Sequence, residues 1–282
     1  MYFLFSSSEE MEKFFEKELP LRQENKIEYA VMENFDKNRI VFAAPHKVTE
    51  RIYVDEKRFI GVGDKNTDKL AKLGALRLRT CYIAPLFSRI EADLTRDPSM
   101  LGKGLTLRSP LYGGEKREIV RIEIHKNKKF ANTVSFYHQL LEKLKPQALV
   151  FIHGMGRRHK ADVSFGFGKE CEYIGGKKNA EAFVGMFREK LNEVLESFGF
   201  KTKLEIVVAK FFKATKDYGL LHHVAAHNKK NAEKRFGMNV EFNLRGRTTK
   251  EDKGLPTKEY QLAAQVLADV VLEWKNRIKE RS

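Results

Sequence analysis

The sequence predicts an α/β protein of three layers (α/β/α), in which helices cover both faces of a mixed, mostly parallel β-sheet. Short apolar runs typical of buried strands alternate with segments whose apolar residues recur at helical spacing. Polar residues follow directly after several of these runs, a pattern typical of a crevice at the carboxyl edge of a sheet. No internal repeat or linker rich in Pro, Gly and Ser divides the sequence, so we expect a single domain over residues 1–282.

The elements are predicted in order along the chain. An apolar stretch at residues 2–5 predicts a short strand, and a helix over Glu9–Leu19 follows it, with Ser8 as a candidate N-cap. Residues 97–117 contain two prolines and four glycines without a sustained period, which predicts a loop. The histidine-rich segment around residues 222–227 is predicted to be helical. Further helices are predicted near residues 66–76, 129–145, 180–198 and 257–279, and further strands at KIEYAVME, RIVFAAPH, TCYIAPLF, EIVRIEIH, ALVFIH, KLEIVVAKFF and MNVEFNL.

Composition narrows the class of protein. Hydrophobic residues make up 42% of the chain, which is enough for a substantial core. Lys and Arg number 53 against 38 Asp and Glu, and the resulting net charge of +15 attracts anions from small carboxylates to RNA. Charged residues reach 32%, a balance found in proteins of hot-growing organisms, so we expect a thermophilic source.

The expected location is the cytoplasm. Two distant cysteines, Cys81 and Cys171, predict neither a disulfide framework nor a zinc ribbon. The amino terminus lacks the basic region of a signal peptide, and no apolar run approaches the ~20 residues that cross a bilayer. We therefore expect a soluble intracellular protein.

Two histidines each follow an apolar strand directly. His46 comes after "RIVFAAP", and His153 ends "ALVFI" just before a glycine. Neighbouring strands can bring two such imidazoles to one metal ion, and zinc accepts His nitrogens together with carboxylate oxygens. Asp64, in "GVGDKNTDKLA", or Glu50 would be the third ligand. For each histidine alone, a hydrogen-bonded residue at the end of a strand is the alternative.

A block of opposite charges, "SRIEADLTR", places Arg89, Asp93 and Arg96 just after a strand. The planar guanidinium suits a carboxylate substrate or a developing oxyanion, and an intervening Asp can orient one of the arginines. A surface network of ion pairs is the alternative.

Glu241 lies within the otherwise apolar strand "NVEFNL". Burial without a partner would raise its pKa, and such a carboxyl beside an activated water can act as a general base and then as a proton donor. If the strand alternates, Glu241 faces solvent instead.

A rival metal candidate is the segment "LHHVAAHN". His223 and His227 share one helical face at the spacing of the zinc-protease helix H-E-x-x-H, but Val224 stands where that pattern has its glutamate. These histidines, with His222, could instead line the substrate site or cap a surface helix.

Taken in order, several of these blocks resemble the N-formylglutamate amidohydrolase family, which is related in fold to zinc-dependent exopeptidases of the carboxypeptidase type. The blocks are APHK, GDKNTDKLA, SRIEADLTR, FYHQLLEKL, FIHGMG, DVSFGFG and VEFNLR, between about residues 40 and 247. The resemblance implies a phosphorylase/hydrolase-like sheet and a zinc ion held by His46, His153 and Asp64. It also implies that Glu241 is the acid/base residue. The residues implied around the substrate are Arg89, as a catalytic group, with Arg96, Asp93 and His138.

The leading hypothesis is a zinc-dependent hydrolase of an amide or related C–N bond, other than a peptide bond, in a small substrate that carries a carboxylate. The alternatives are a nucleic-acid-binding protein on the same fold and a hydrolase of an RNA-linked substrate. Basic clusters favour these alternatives, although they lack the interleaved aromatic residues of single-strand binding platforms. The clusters are 126–129, 157–160 and 228–235.

Overall fold

The computed structural model describes residues 1–53, 59–89, 91–95, 105–112, 119–124, 130–209, 218–230 and 234–280. Within these ranges twelve strands form two sheets. The strands are β1 Arg22–Glu24, β2 Ile27–Val31, β3 Ile40–Ala43, β4 Glu50–Tyr53, β5 Phe59–Val62, β6 Cys81–Pro85, β7 Leu105–Tyr112, β8 Ile119–Ile124, β9 Ala148–Met155, β10 Val163–Gly166, β11 Ile206–Val208 and β12 Phe236–Asn243.

The larger sheet has eight strands in the order β1-β2-β6-β3-β9-β12-β10-β11. Its central strands β6, β3, β9 and β12 run parallel to one another, and β10 and β11 also pair in parallel. The pairs β1–β2, β2–β6 and β10–β12 are antiparallel. The prediction of a mixed, mostly parallel sheet is therefore confirmed. A second sheet has the order β4-β5-β7-β8 and is antiparallel.

The helices pack on both faces of the large sheet. They are α1 Ser8–Glu18, α2 Phe35–Asn38, α3 Thr67–Leu78, α4 Ala131–Leu144, α5 Lys177–Ser197, α6 Tyr218–Leu220, α7 His227–Lys230, α8 Leu244–Arg247 and α9 Lys258–Glu280, with a 3₁₀ helix at Glu172–Ile174 and a π-helical segment at Leu221–Ala226. None of the helices in the described ranges is long and apolar enough to cross a membrane.

The core has two parts, one on each face of the large sheet, because successive side chains along a strand point to opposite faces. On β9, Val150 and Ile152 pack with α1, α3, α5 and α9, while Leu149 and Phe151 pack on the opposite face with α4 and the π-helical segment. Successive side chains of a strand point to opposite faces, so an apolar run with both faces covered is buried throughout. This arrangement confirms the three-layer α/β/α prediction.

The predicted strand at residues 2–5 is wrong. The backbone N–H groups of Phe3 and Phe5 donate to the side-chain oxygens of Gln265 and Gln261, and the amide groups of these glutamines donate back to the same two residues. Gln261 and Gln265 lie on α9 and are fully buried. The extended amino-terminal segment therefore pairs with side chains of a helix rather than with a strand.

The predicted loop over residues 97–117 is also corrected, because β7 lies within it and pairs with β8 from Leu105 to Pro110. Its sequence, "LTLRSPLY", has leucines at alternating positions, which is a strand pattern. Pro110 and the flanking glycines obscured that pattern. The predicted helical segment around residues 222–227 is π-helical, a form that is frequent at functional sites.

Candidate metal centre

The carboxyl edge of the large sheet brings His46 and His153 together. His153 lies near the end of β9, and His46 follows the adjacent parallel strand β3 through a short extension. Their side chains are 3% and 5% exposed, and their ring centroids lie 4.8 Å apart. The two strand-end imidazoles therefore face each other within a buried space.

Asp64 completes this group from the segment between β5 and α3. Its N–H donates to the backbone oxygen of His46 over 2.6 Å, and its own backbone oxygen accepts the hydroxyl of Thr67 over 2.7 Å at the start of α3. These bonds place Asp64 Oδ2 at 3.4 Å from the Nδ1 atoms of both His46 and His153. In the described part of the chain, His46, Asp64 and His153 are the one group of three whose ligand atoms lie within 4.8 Å of one another. The side chain of Glu50, the other predicted candidate, lies outside the described part.

Asp93 orients the ring of His46 through a hydrogen bond. Its Oδ1 lies 2.9 Å from His46 Nε2, and it is fully buried. Burial alone would raise the pKa of Asp93, but the Arg89 guanidinium and the His46 ring hold it well below its ordinary value. The ionised carboxylate can only accept, so Nε2 of His46 donates to it and Nδ1 is directed at Asp64.

This arrangement fits a cation. His46 Nδ1 is buried and makes no hydrogen bond within the described residues. The 3.4 Å between it and Asp64 Oδ2 is longer than a good N–H···O bond. Burial would raise the pKa of Asp64, yet His153 and His46 hold it far below its ordinary value, so Asp64 stays anionic. A ring nitrogen and a carboxylate that face each other in a buried space without a hydrogen bond are both satisfied by a metal ion between them.

Glu241 lies beside this group. On β12 it is in register with His153 of the adjacent parallel strand, so both side chains leave the same face of the sheet. Only 7% of Glu241 is exposed, which excludes the solvent-facing alternative. Burial raises its pKa, and the Asp64 charge adds to this while His153 opposes it. Glu241 is thus a carboxyl that can exchange a proton beside the candidate metal ligands.

Arg89 reaches the same region. Its Nε donates to Asp93 Oδ2 over 2.7 Å, and its charge interacts with Asp64 and Glu241. Its two terminal nitrogens make no hydrogen bond to any residue that the structure describes. Asp93, predicted to bind substrate, also accepts the N–H and hydroxyl of Thr95 on Oδ1. Arg96 falls within residues 96–104, outside the described residues.

Three further histidines, His138, His222 and His223, form a separate cluster. His138 on α4 and His223 on the π-helical segment stack with ring centroids 5.5 Å apart, and His138 Nδ1 lies 3.2 Å from His223 Nε2. Burial, followed by the charges of His138, His222 and Arg235, lowers the pKa of His223 to about 3. This buried pair does not reproduce the predicted zinc-protease helix, since His227 begins the next helix, α7, and is not in the group of three.

Arg247 is a residue that the sequence analysis missed. Its side chain is 4% exposed and donates to the backbone oxygens of Phe242, Lys65 and Met155, over 2.9, 2.5 and 3.4 Å. Phe242 follows Glu241 and Lys65 follows Asp64, while Met155 lies two residues after His153. A Cβ at Gly154 would lie 2.3 Å from the guanidinium carbon, so only glycine leaves room for it. Arg247 thus joins the three segments that carry the site.

Asn239 was also missed. It precedes Glu241 by two residues on the same face of β12, it is 8% exposed, and its Oδ1 has no hydrogen-bond partner within the described residues. An unsatisfied buried amide oxygen is costly, which makes it a candidate contact for a bound molecule. Polarity within an apolar strand was the available signal.

Comparisons with known proteins place the fold. No protein-family model matches the chain, and no curated protein matches it in sequence. Among solved structures, N-formylglutamate amidohydrolase from Ralstonia eutropha superposes with a TM-score of 0.50 at 12% identity, covering 92% of this chain and all 100% of that one. The chain shares the fold of N-formylglutamate amidohydrolase. A gene product of Agrobacterium tumefaciens is similar too, with a TM-score of 0.51, 11% identity, and 90% and 94% of the two chains covered. The predicted resemblance is therefore confirmed at the level of the fold.

Proposed function

We propose that the protein is a zinc-dependent hydrolase of an amide-type C–N bond in a small substrate that carries a carboxylate. The observation that carries the proposal is the convergence of His46 Nδ1, His153 Nδ1 and Asp64 Oδ2, with Glu241 on the adjacent strand. Two imidazoles and one carboxylate are a ligand set of catalytic zinc sites. The fold shared with N-formylglutamate amidohydrolase supports the same reaction class.

Zinc held by these three residues would polarise the substrate carbonyl and make a water molecule more acidic. The protein residues then account for proton movement. Glu241 takes a proton from water on a carboxylate oxygen as the water oxygen attacks the carbonyl carbon. The same proton passes to the nitrogen of the leaving amine as the C–N bond breaks, which regenerates the Glu241 carboxylate and releases a carboxylic acid and an amine. The raised pKa of Glu241 suits both steps.

Arg89 is proposed to stabilise the oxyanion or to hold the substrate carboxylate. Asp93 fixes its Nε, which leaves the two terminal nitrogens in a set direction. Asp93 then acts as a positioning residue for both Arg89 and His46 rather than as a substrate contact. Arg96 and His138 remain proposals for substrate binding, and Asn239 is added to them.

The test uses the full chain loaded with Zn²⁺ and a panel of N-acyl amino acids, including N-formylglutamate, with release of the primary amine as the readout. We expect hydrolysis by the wild type and a loss of ~10²–10⁴-fold in kcat for Glu241→Gln, which keeps the side-chain shape but removes the proton acceptor. Glu251→Gln, an exposed change of the same kind, is the matched control and should keep full activity. Equal rates for Glu241→Gln and the wild type would remove Glu241 from the mechanism.

A further inference from the structure

A cavity of about 460 Å³ lies at the opposite edge of the sheet from His46. It opens between α2, the end of α3 and the last turns of α9, and Asn38 on its wall lies just before β3, whereas His46 follows that strand. The polar lining residues are four cations and three amides: Lys37, Arg77, Lys275, Lys279, Asn34, Asn38 and Asn276. We call this space the lysine cavity.

Three of the four cations that line the lysine cavity have no carboxylate partner among the described residues. Arg77 is paired with Asp269, its Nε lying 2.8 Å from Oδ1. For Lys37, Lys275 and Lys279, the described part of the chain offers no carboxylate within ion-pair distance, and no acidic side chain lines the cavity. Three ammonium groups thus share one concave space without a counter-ion from the described residues.

Lys275 is the most informative of the three. It is 5% exposed, and its Nζ donates to the backbone oxygen of Lys37 over 3.0 Å. Burial lowers its pKa to about 8, and the charges of Lys279, Lys37 and Arg39 add to this effect. Lysines near the end of a helix often interact with the helix dipole, but that interaction does not require burial. A buried ammonium among other cations normally has a partner anion.

We propose that the lysine cavity binds a small phosphorylated anion, with Lys275 and Lys279 contacting the phosphate. Lysine is a common phosphate ligand because its ammonium group acts as a point charge, and several such charges suit a dianion. The volume lies in the range of small-molecule sites, so it accommodates an ester larger than phosphate itself. A nucleic-acid backbone requires a charged groove or surface along which it can run, whereas the unpaired lysines here are gathered in one concave space between three helices. This site is independent of the metal centre and of the proposed hydrolysis.

The test is calorimetric titration of the metal-free full chain with pyrophosphate at constant ionic strength. We expect one saturable site in the wild type and a Kd raised by ~10-fold or more in Lys275→Met and in Lys279→Met, as expected for loss of a charged hydrogen bond. Lys201→Met removes an equal charge from an exposed position elsewhere and should bind as the wild type does. Lys275→Met retains the aliphatic stem, and the exposed Lys279→Met provides a second variant should the buried one alter the fold.

Two further experiments show where the anion binds and which kind of anion the site accepts. His46→Ala/His153→Ala should keep pyrophosphate binding, and its loss there would overturn the assignment to the lysine cavity. In competition, inorganic phosphate and AMP should displace pyrophosphate. Displacement by a short RNA but by neither small anion would overturn the proposal in favour of a nucleic-acid contact. Equal weakening of pyrophosphate binding in Lys275→Met, Lys279→Met and Lys201→Met would also overturn it, because binding would then depend only on the net charge of the protein.

Discussion

Replacing Asp93 with asparagine should weaken metal binding although Asp93 is not a metal ligand. Asp93 Oδ1 accepts from His46 Nε2 and from the N–H and hydroxyl of Thr95, while Oδ2 accepts from Arg89 Nε. If the asparagine oxygen takes the place of Oδ1, the amide N–H₂ takes the place of Oδ2 and faces the Nε–H donor of Arg89. In the flipped orientation the N–H₂ would face the donors of Thr95 and His46. Neither orientation reproduces the carboxylate.

The size of the effect follows from this loss. His46 would keep its place but would lose the negative charge that makes Nδ1 a strong donor to a metal. Loss of such an outer carboxylate typically costs ~10–100-fold in metal affinity, or ~1.4–2.7 kcal/mol. We expect Asp93→Asn to fall within that range while still binding one ion.

The assay is competition for Zn²⁺ between the folded protein and a chelator of known affinity, with circular dichroism to verify folding. Asp269→Asn is the matched control, because it breaks the partly buried pair of Asp269 with Arg77 in a different part of the fold. Both variants should lose stability, but only Asp93→Asn should lose metal affinity. An affinity equal to that of the wild type in Asp93→Asn would refute the role assigned to Asp93.

Two further predictions concern packing and pH. Gly154→Ala should displace the Arg247 guanidinium and weaken Zn²⁺ binding, whereas Gly185→Ala, whose added Cβ meets no atom within 4 Å, should leave binding unchanged and stabilise its helix by ~0.5–1 kcal/mol in urea unfolding. His223 has a folded-state pKa of about 3, below its ordinary value of 6.5, so the unfolded chain takes up the proton first as the pH falls. Stability should therefore be complete above pH 6.5 and decrease by up to ~1.4 kcal/mol per pH unit toward pH 3. In urea unfolding across this window, the free energy of unfolding should decrease less steeply with falling pH for His223→Gln than for the wild type. The exposed His222→Gln is the control and should decrease as steeply as the wild type does. Identical slopes for His223→Gln and the wild type would contradict the assignment.

The convergence of the two candidate metal-binding histidines was predictable, because strand order and strand ends constrain their positions strongly. An apolar run that ends in His46 or His153 leaves each imidazole at the carboxyl edge of a parallel sheet. The burial of Glu241 was not predictable, since alternation alone does not reveal which face of β12 is covered. The structure decides this by placing α4 and the π-helical segment over that face.

Other features depend on contacts between distant parts of the chain. Arg247 lies in "NLRGR", which has the composition of a charged surface turn, and it becomes buried only because α8 folds back against β9 and the segment after Asp64. The lysine cavity likewise combines Lys37 with Lys275 and Lys279, which are separated by more than 230 residues of sequence. Charge runs in the sequence do not indicate which lysines will face one another.

The most direct test of the metal centre is the zinc content of the purified full chain after loading and removal of excess ion, measured by elemental mass spectrometry. The convergence of His46, Asp64 and His153 predicts about one zinc per chain in the wild type and a loss of that zinc in His46→Ala/His153→Ala. Stoichiometric zinc retained by the folded double variant would contradict the assignment of the metal centre.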